Sequence, residues 1–137
     1  MAPRKSAPVQ KTPKAQKTGT KRLEELVYTT MELSRQVRDC CRAFNVQALH
    51  SEDANQYARC VRSCLELIEV ADLVQFLLAN SSPIIKSGLK LAVDAVDNTH
   101  AECVVHQKSS YCQETCKLCT SIFANYKGCL EELNSLI

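Results

Sequence analysis

Glycine is scarce, three residues in 137, and no stretch alternates apolar and polar residues between turn signals, so the chain has little from which to build strands and hairpins. Long apolar runs are missing too. The longest uncharged one, residues 73–85, is about 13 residues and contains Asn80, Ser81, Ser82 and Pro83, against the roughly 20 that a bilayer requires. There is no Gly-rich phosphate loop and no nucleophile elbow. The Glu-x-x-His of di-iron bundles is also lacking, since its glutamate would have to stand where Cys103 stands. Glu24, Glu25, Glu131 and Glu132 fall mostly on polar faces. Cys116-x2-Cys119 lies inside a helical pattern rather than at a helix start after a strand, so a thiol redox role stays open but has no specific support. These absences exclude the common enzyme classes, and a non-enzymatic helical protein is expected.

Acidic residues are missing altogether from residues 1–22, which hold Arg4, Lys5, Lys11, Lys14, Lys17, Lys21 and Arg22. The segment is therefore +7, and the remainder carries −5 to give the net +2. Pro3, Pro8 and Pro13 lie there with almost no large apolar residue. Such a stretch buries too little surface to offset its ordering entropy, and a disordered tail over 1–22 is expected ahead of a domain over 23–137. It has no apolar core for an export signal, and its prolines interrupt a mitochondrial presequence. A cytoplasmic setting follows as the default, in which thiols stay reduced and serve metal or packing rather than disulfides. A seven-charge arm also attracts phosphate in a salt-dependent way, so nucleic acid or an acidic protein surface is a candidate partner.

What is abundant is a spacing of three and four. A first segment carries Leu26, Thr30, Leu33, Val37, Cys40 and Phe44; a second Tyr57, Cys60, Cys64, Leu67, Ala71, Val74 and Leu78. A third carries Ile85, Leu89, Ala92, Val96, Thr99, Cys103 and His106, and a fourth Cys112, Cys116, Cys119, Phe123, Tyr126 and Leu130. Each is the inward seam of a bundle helix. Start signals precede the seams: Thr20, then Ser51 with Glu52 and Asp53, then Ser82-Pro83, then Ser110 with Gln113 as a capping box. The connections are short, so neighbours run antiparallel and the fold class is an all-α, up-down four-helix bundle.

That topology places the first and last turns at one end, near His50 and Lys108. At about 1.5 Å per residue, Cys103 and Cys112 lie roughly 6–8 Å from this mouth, Cys40, Cys41, Cys60 and Cys116 about 12–15 Å, and Cys64 and Cys119 about 17–21 Å. Of nine cysteines, Cys40, Cys60, Cys64, Cys103, Cys112, Cys116 and Cys119 fall on the inward seams, Cys41 and Cys129 one position off, and Cys129 near the far end. His106 sits at the mouth, flanked by His100. Taken singly, a core cysteine packs as a small hydrophobe. Seven in one half of a bundle point to soft-metal chemistry instead. Pairs such as Cys60-x3-Cys64, Cys112-x3-Cys116 and Cys116-x2-Cys119 share a helix face, with Cβ atoms about 5–6 Å apart, and can clamp one ion. Thiolates select copper(I), zinc or iron–sulfur over hard ions. Copper(I) is satisfied by one such pair, whereas zinc wants four ligands, which Cys103, His106, Cys112 and Cys116 could supply.

His106-x5-Cys112-x3-Cys116-x2-Cys119, with Cys103 three residues before the histidine, resembles the end of helix 3, the turn and helix 4 of the cysteine-rich four-helix-bundle copper-binding family that includes the bacterial copper storage proteins. Cys60-x3-Cys64 leading to Leu77-Leu-Ala-Asn-Ser-Ser82 resembles its second helix. The likeness covers about residues 23–130. It implies Cu(I) storage or buffering by core thiolates, and His106, with His50 in the turn at the same end as a second candidate, is expected to aid entry at the mouth. The family repeats C-x3-C-x2-C-x3-C along its helices, but here Leu67, Ala71, Ala92, Val96, Thr99 and Phe123 stand at the continuing positions. A capacity of a few ions at one end is therefore implied. The alternative is a structural protein of a larger assembly such as a virus particle, with the bundle as scaffold and the tail as anchor.

Overall fold

The computed structural model of the chain describes residues 14–106 and 109–136. Four α-helices follow in order: α1 Lys14–Leu49, α2 Ala58–Ala79, α3 Ile85–Val104 and α4 Ser110–Ser135. Among the described residues there is no strand. Each helix packs on two neighbours, closing the ring α1–α2–α3–α4. Ties between helices set the directions. Arg22 near the start of α1 pairs with Glu132 near the end of α4 at 3.5 Å. Arg59 at the start of α2 meets Glu102 at the end of α3 at 2.9 Å, and Arg38 reaches Asp72 at 3.1 Å between α1 and α2. The up-down bundle is as expected, and no described helix is long and apolar enough to cross a membrane.

Helix starts differ in detail from the sequence reading. Helix α1 begins at Lys14 rather than after a Thr20 cap. The three prolines that argue against helix end at Pro13, and Ala15, Gln16 and Lys17 are good helix formers. Lys14, Lys17, Lys21 and Arg22 thus belong to the helix, while Arg4, Lys5 and Lys11 lie outside the described residues. Ser51 does accept a bond from the Asp53 amide at 3.0 Å, but a 3₁₀ turn over Ala54–Tyr57 intervenes before α2. Before α4 the cap is Ser109, not Ser110; its side chain accepts from the Cys112 amide at 3.4 Å. At the far end of α2, Ser81 takes a left-handed conformation (φ 49°). The Ser82 amide then reaches the Leu77 carbonyl at 2.9 Å and the Ser81 amide that of Leu78 at 3.2 Å, which satisfies the helix's last carbonyls.

The core divides by chemistry. Towards the far end it is hydrocarbon, with Leu67, Ala71, Val74, Leu89, Ala92, Val96 and Ile122 buried together. Towards the mouth it is sulfur.

Candidate metal centre

Eight of the nine cysteines are buried, and all nine are free thiols. Cys41 from α1, Cys60 and Cys64 from α2, Cys103 from α3 and Cys112 from α4 have no solvent exposure. Their sulfurs are neighbours in succession: Cys41 beside Cys64, Cys64 beside Cys103, Cys103 beside Cys60, and Cys60 beside Cys112, which also neighbours Cys103. Every helix contributes. Cys116 and Cys119 extend it electrostatically, the first towards Cys60 and Cys112 and the second towards Cys64. The sequence-predicted Cys60, Cys64, Cys103, Cys112, Cys116 and Cys119 are thereby gathered at one end.

Cys40 is the exception. It was expected on the inward seam, but it is half-buried with its sulfur 3.5 Å from Thr115 Oγ1, and its neighbour Cys41 occupies the core. The reason lies about two turns earlier. Ser34 points inward and bonds Tyr126 Oη at 2.8 Å, so the seam of α1 runs Thr30, Ser34, Val37, Cys41, Phe44 and Ala48. Hydrophobicity favours Leu33 over Ser34 at this point, yet Leu33 is only partly buried and the buried face lies one position on. The same happened on α4, where Ile122 and Cys129 are fully buried and Phe123 and Leu130 only partly. Cys129 lies apart from the other thiols, beside Thr30.

His106 stands at the mouth but is held by an aromatic stack. Its ring lies 5.0 Å from that of Tyr57, and Tyr57 in turn meets Phe44 edge-on at 6.0 Å. His50 is turned to its own helix, with Nδ1 2.8 Å from the Val46 carbonyl. The succession described above is therefore built of sulfur alone.

Cys60, Cys64, Cys103, Cys112, Cys116 and Cys119 are held protonated. The Cys103 neighbour and burial together push Cys60 far above the usual thiol range. For Cys64 and Cys103 a neighbouring thiol eases ionisation, Cys103 and Cys60 respectively, but the next thiol along and burial outweigh it. Burial raises Cys40, Cys112, Cys116 and Cys129, and pushes Cys119 up to about 12. A thiolate is unfavourable in an apolar interior unless a cation compensates it. Such a core resists deprotonation until a metal ion takes the proton's place. Among the described residues no group of three or more His, Cys, Asp or Glu side chains is assembled around a common point for an ion. The arrangement is one of paired thiols in succession.

Comparison with known proteins agrees with this chemistry. The family model described as "Copper storage protein" matches residues 21–131, from the second turn of α1 into the last turns of α4. Neither the curated proteins nor the solved structures gave a match. The match covers well over half the chain and includes every thiol of the cluster, so the chain belongs to the copper storage protein family.

Proposed function

We propose that the bundle stores or buffers copper as Cu(I), held between pairs of core thiolates in its mouth half. The observation that carries this reading is the sulfur succession Cys41–Cys64–Cys103–Cys60–Cys112, drawn from all four helices and free of solvent. Soft monovalent copper is satisfied by two thiolates, and adjacent thiols along the succession supply such pairs without rebuilding the fold. Zinc needs four ligands about one point, and the described residues offer no ready group of even three, which favours copper(I) over zinc. The seven buried thiols Cys41, Cys60, Cys64, Cys103, Cys112, Cys116 and Cys119 give, at two per ion, a capacity of about three ions. The hydrocarbon half of the core adds none. A reducing, cytoplasmic compartment suits thiols that must stay free. The reading of the bundle as scaffold for a larger assembly rests on the basic tail, most of which lies outside the described residues, and no comparison supports it.

Anaerobic titration with Cu(I) against a competing chelator tests the proposal. About three tightly held ions are expected; fewer than one per chain would end it.

A further inference from the structure

Among the described residues, the mouth of the bundle is covered. Phe44, Tyr57 and His106 stack across it, and the thiols beneath, Cys60, Cys103 and Cys112, have no exposure at all. The flank between α3 and α4 is different. There a cleft of ≈ 150 Å³ is lined by Val96, Asp97, His100, Cys119, Thr120 and Phe123. A second, one turn nearer the mouth, is lined by His100, Gln113, Cys116, Lys117 and Thr120. His100 and Thr120 are common to both, and the Thr120 hydroxyl is committed to the Cys116 carbonyl at 3.0 Å. The imidazole of His100 is half-buried. Cys116, at 7 %, is the most exposed of the buried thiols, and Cys119 retains 1 %.

We infer that His100, with Cys116 and Cys119, forms a side loading site on the α3–α4 flank, through which Cu(I) reaches the core. This rests on the storage reading above. A neutral imidazole also binds copper, and it does so without losing a proton. His100 therefore takes the ion at the surface, where releasing a proton from a buried thiol is not required. Cys116 or Cys119 takes it next, each giving up its thiol proton to water. Cys116 faces Cys112 and Cys60 electrostatically, and Cys119 faces Cys64, so the ion passes inward by exchange between adjacent sulfurs. Copper stays monovalent throughout, and one proton leaves for each thiolate formed. His106, stacked on Tyr57 across the covered mouth, is not on this route.

Two measurements test it. The first mixes the whole chain with Cu(I) presented as its bicinchoninate complex and follows uptake by stopped flow. His100→Ala and His100→Gln should each slow uptake by about tenfold, the scale on which a lost metal partner is felt, with the final ion count unchanged. His106→Ala should slow it less. Uptake by both His100 variants at the parent rate, or a larger effect from His106→Ala, overturns the side route. The second omits copper: the metal-free chain receives a short pulse of N-ethylmaleimide and the modified cysteines are mapped. Cys116 should react before Cys60, Cys103 and Cys112. Earlier reaction of those mouth thiols overturns the inference on its own. Because this order is read without metal, it separates failure of the side route from failure of copper storage, which would show as no uptake by the parent chain.

Discussion

The Cys60 thiol donates to the Glu102 carbonyl across 3.1 Å, and the next residue, Cys103, presents its own sulfur to the same thiol. A helix α2 thiol is thus tied to the last turn of α3 in the form in which it holds its proton. Copper can take this sulfur only by expelling that proton, and the same holds along the succession. Near pH 7, each ion bound by two thiols should release about two protons. Calorimetric titration in buffers of different ionisation enthalpy reads that number directly, and the apparent affinity should rise with pH over about pH 6 to 8. Binding without proton release would mean the thiols are already ionised, against the raised Cys60, Cys64 and Cys103.

Removing single thiols should separate the cluster from the rest. Cys60→Ala or Cys103→Ala breaks the succession in the middle, and although the six remaining thiols can still be grouped in pairs, the regrouped pairs should hold copper less tightly, so that up to about one ion is lost on desalting. Cys129→Ala should leave the count unchanged, because Cys129 lies beside Thr30 rather than beside another thiol. Each substitution also removes buried sulfur, at about 1 kcal/mol or somewhat more. The check is copper analysis after desalting, set beside thermal unfolding of the metal-free variants. A count that falls equally in all three would place the metal elsewhere.

The bundle and the location of the cluster were legible because both follow from period and topology. Apolar residues at spacings of three and four fixed four helices, and short connections fixed their directions, which brought Cys60 beside Cys112. What could not be read was which of two adjacent residues faces inward. A 3.6-residue period does not distinguish Leu33 from Ser34 or Cys40 from Cys41 by spacing. The choice was made by a buried hydrogen bond between Ser34 and Tyr126, 92 residues apart, which composition cannot reveal. The covered mouth was hidden for a similar reason, since the stacking of Phe44, Tyr57 and His106 depends on the 3₁₀ turn that ends at Tyr57.

The metal-free protein should lose stability in alkali. Thiols in the unfolded chain ionise at about pH 8.5, whereas Cys60, Cys64, Cys103, Cys112 and Cys116 are raised and Cys119 is pushed up to about 12. Between these values the folded state holds more protons than the unfolded one, so unfolding becomes easier as pH rises. The stabilisation is fully present below about pH 8.5 and is lost progressively as pH rises towards about 12. Melting temperature measured under reductant from about pH 8 to about pH 11 should fall steadily. The copper-loaded protein should respond less, since its thiolates are already formed and neutralised.

The Ser34–Tyr126 bond gives a prediction for the half of the core that holds no sulfur succession. Both residues are completely buried, and their oxygens are 2.8 Å apart. Burial pushes the Tyr126 hydroxyl up to about 12, although Ser34 eases its ionisation, so it remains a neutral donor or acceptor at ordinary pH. Tyr126→Phe leaves the serine hydroxyl buried without this partner, and Ser34→Ala leaves the phenol so. Either should cost about 1–3 kcal/mol. In the double variant no orphan remains, and its loss should be clearly smaller than the two single losses added. Urea unfolding of the four proteins measures this. Strict additivity would show that the bond contributes nothing, and that the one-position rotation of α1 which buries Cys41 is held by hydrocarbon packing around Val37 and Phe44 instead.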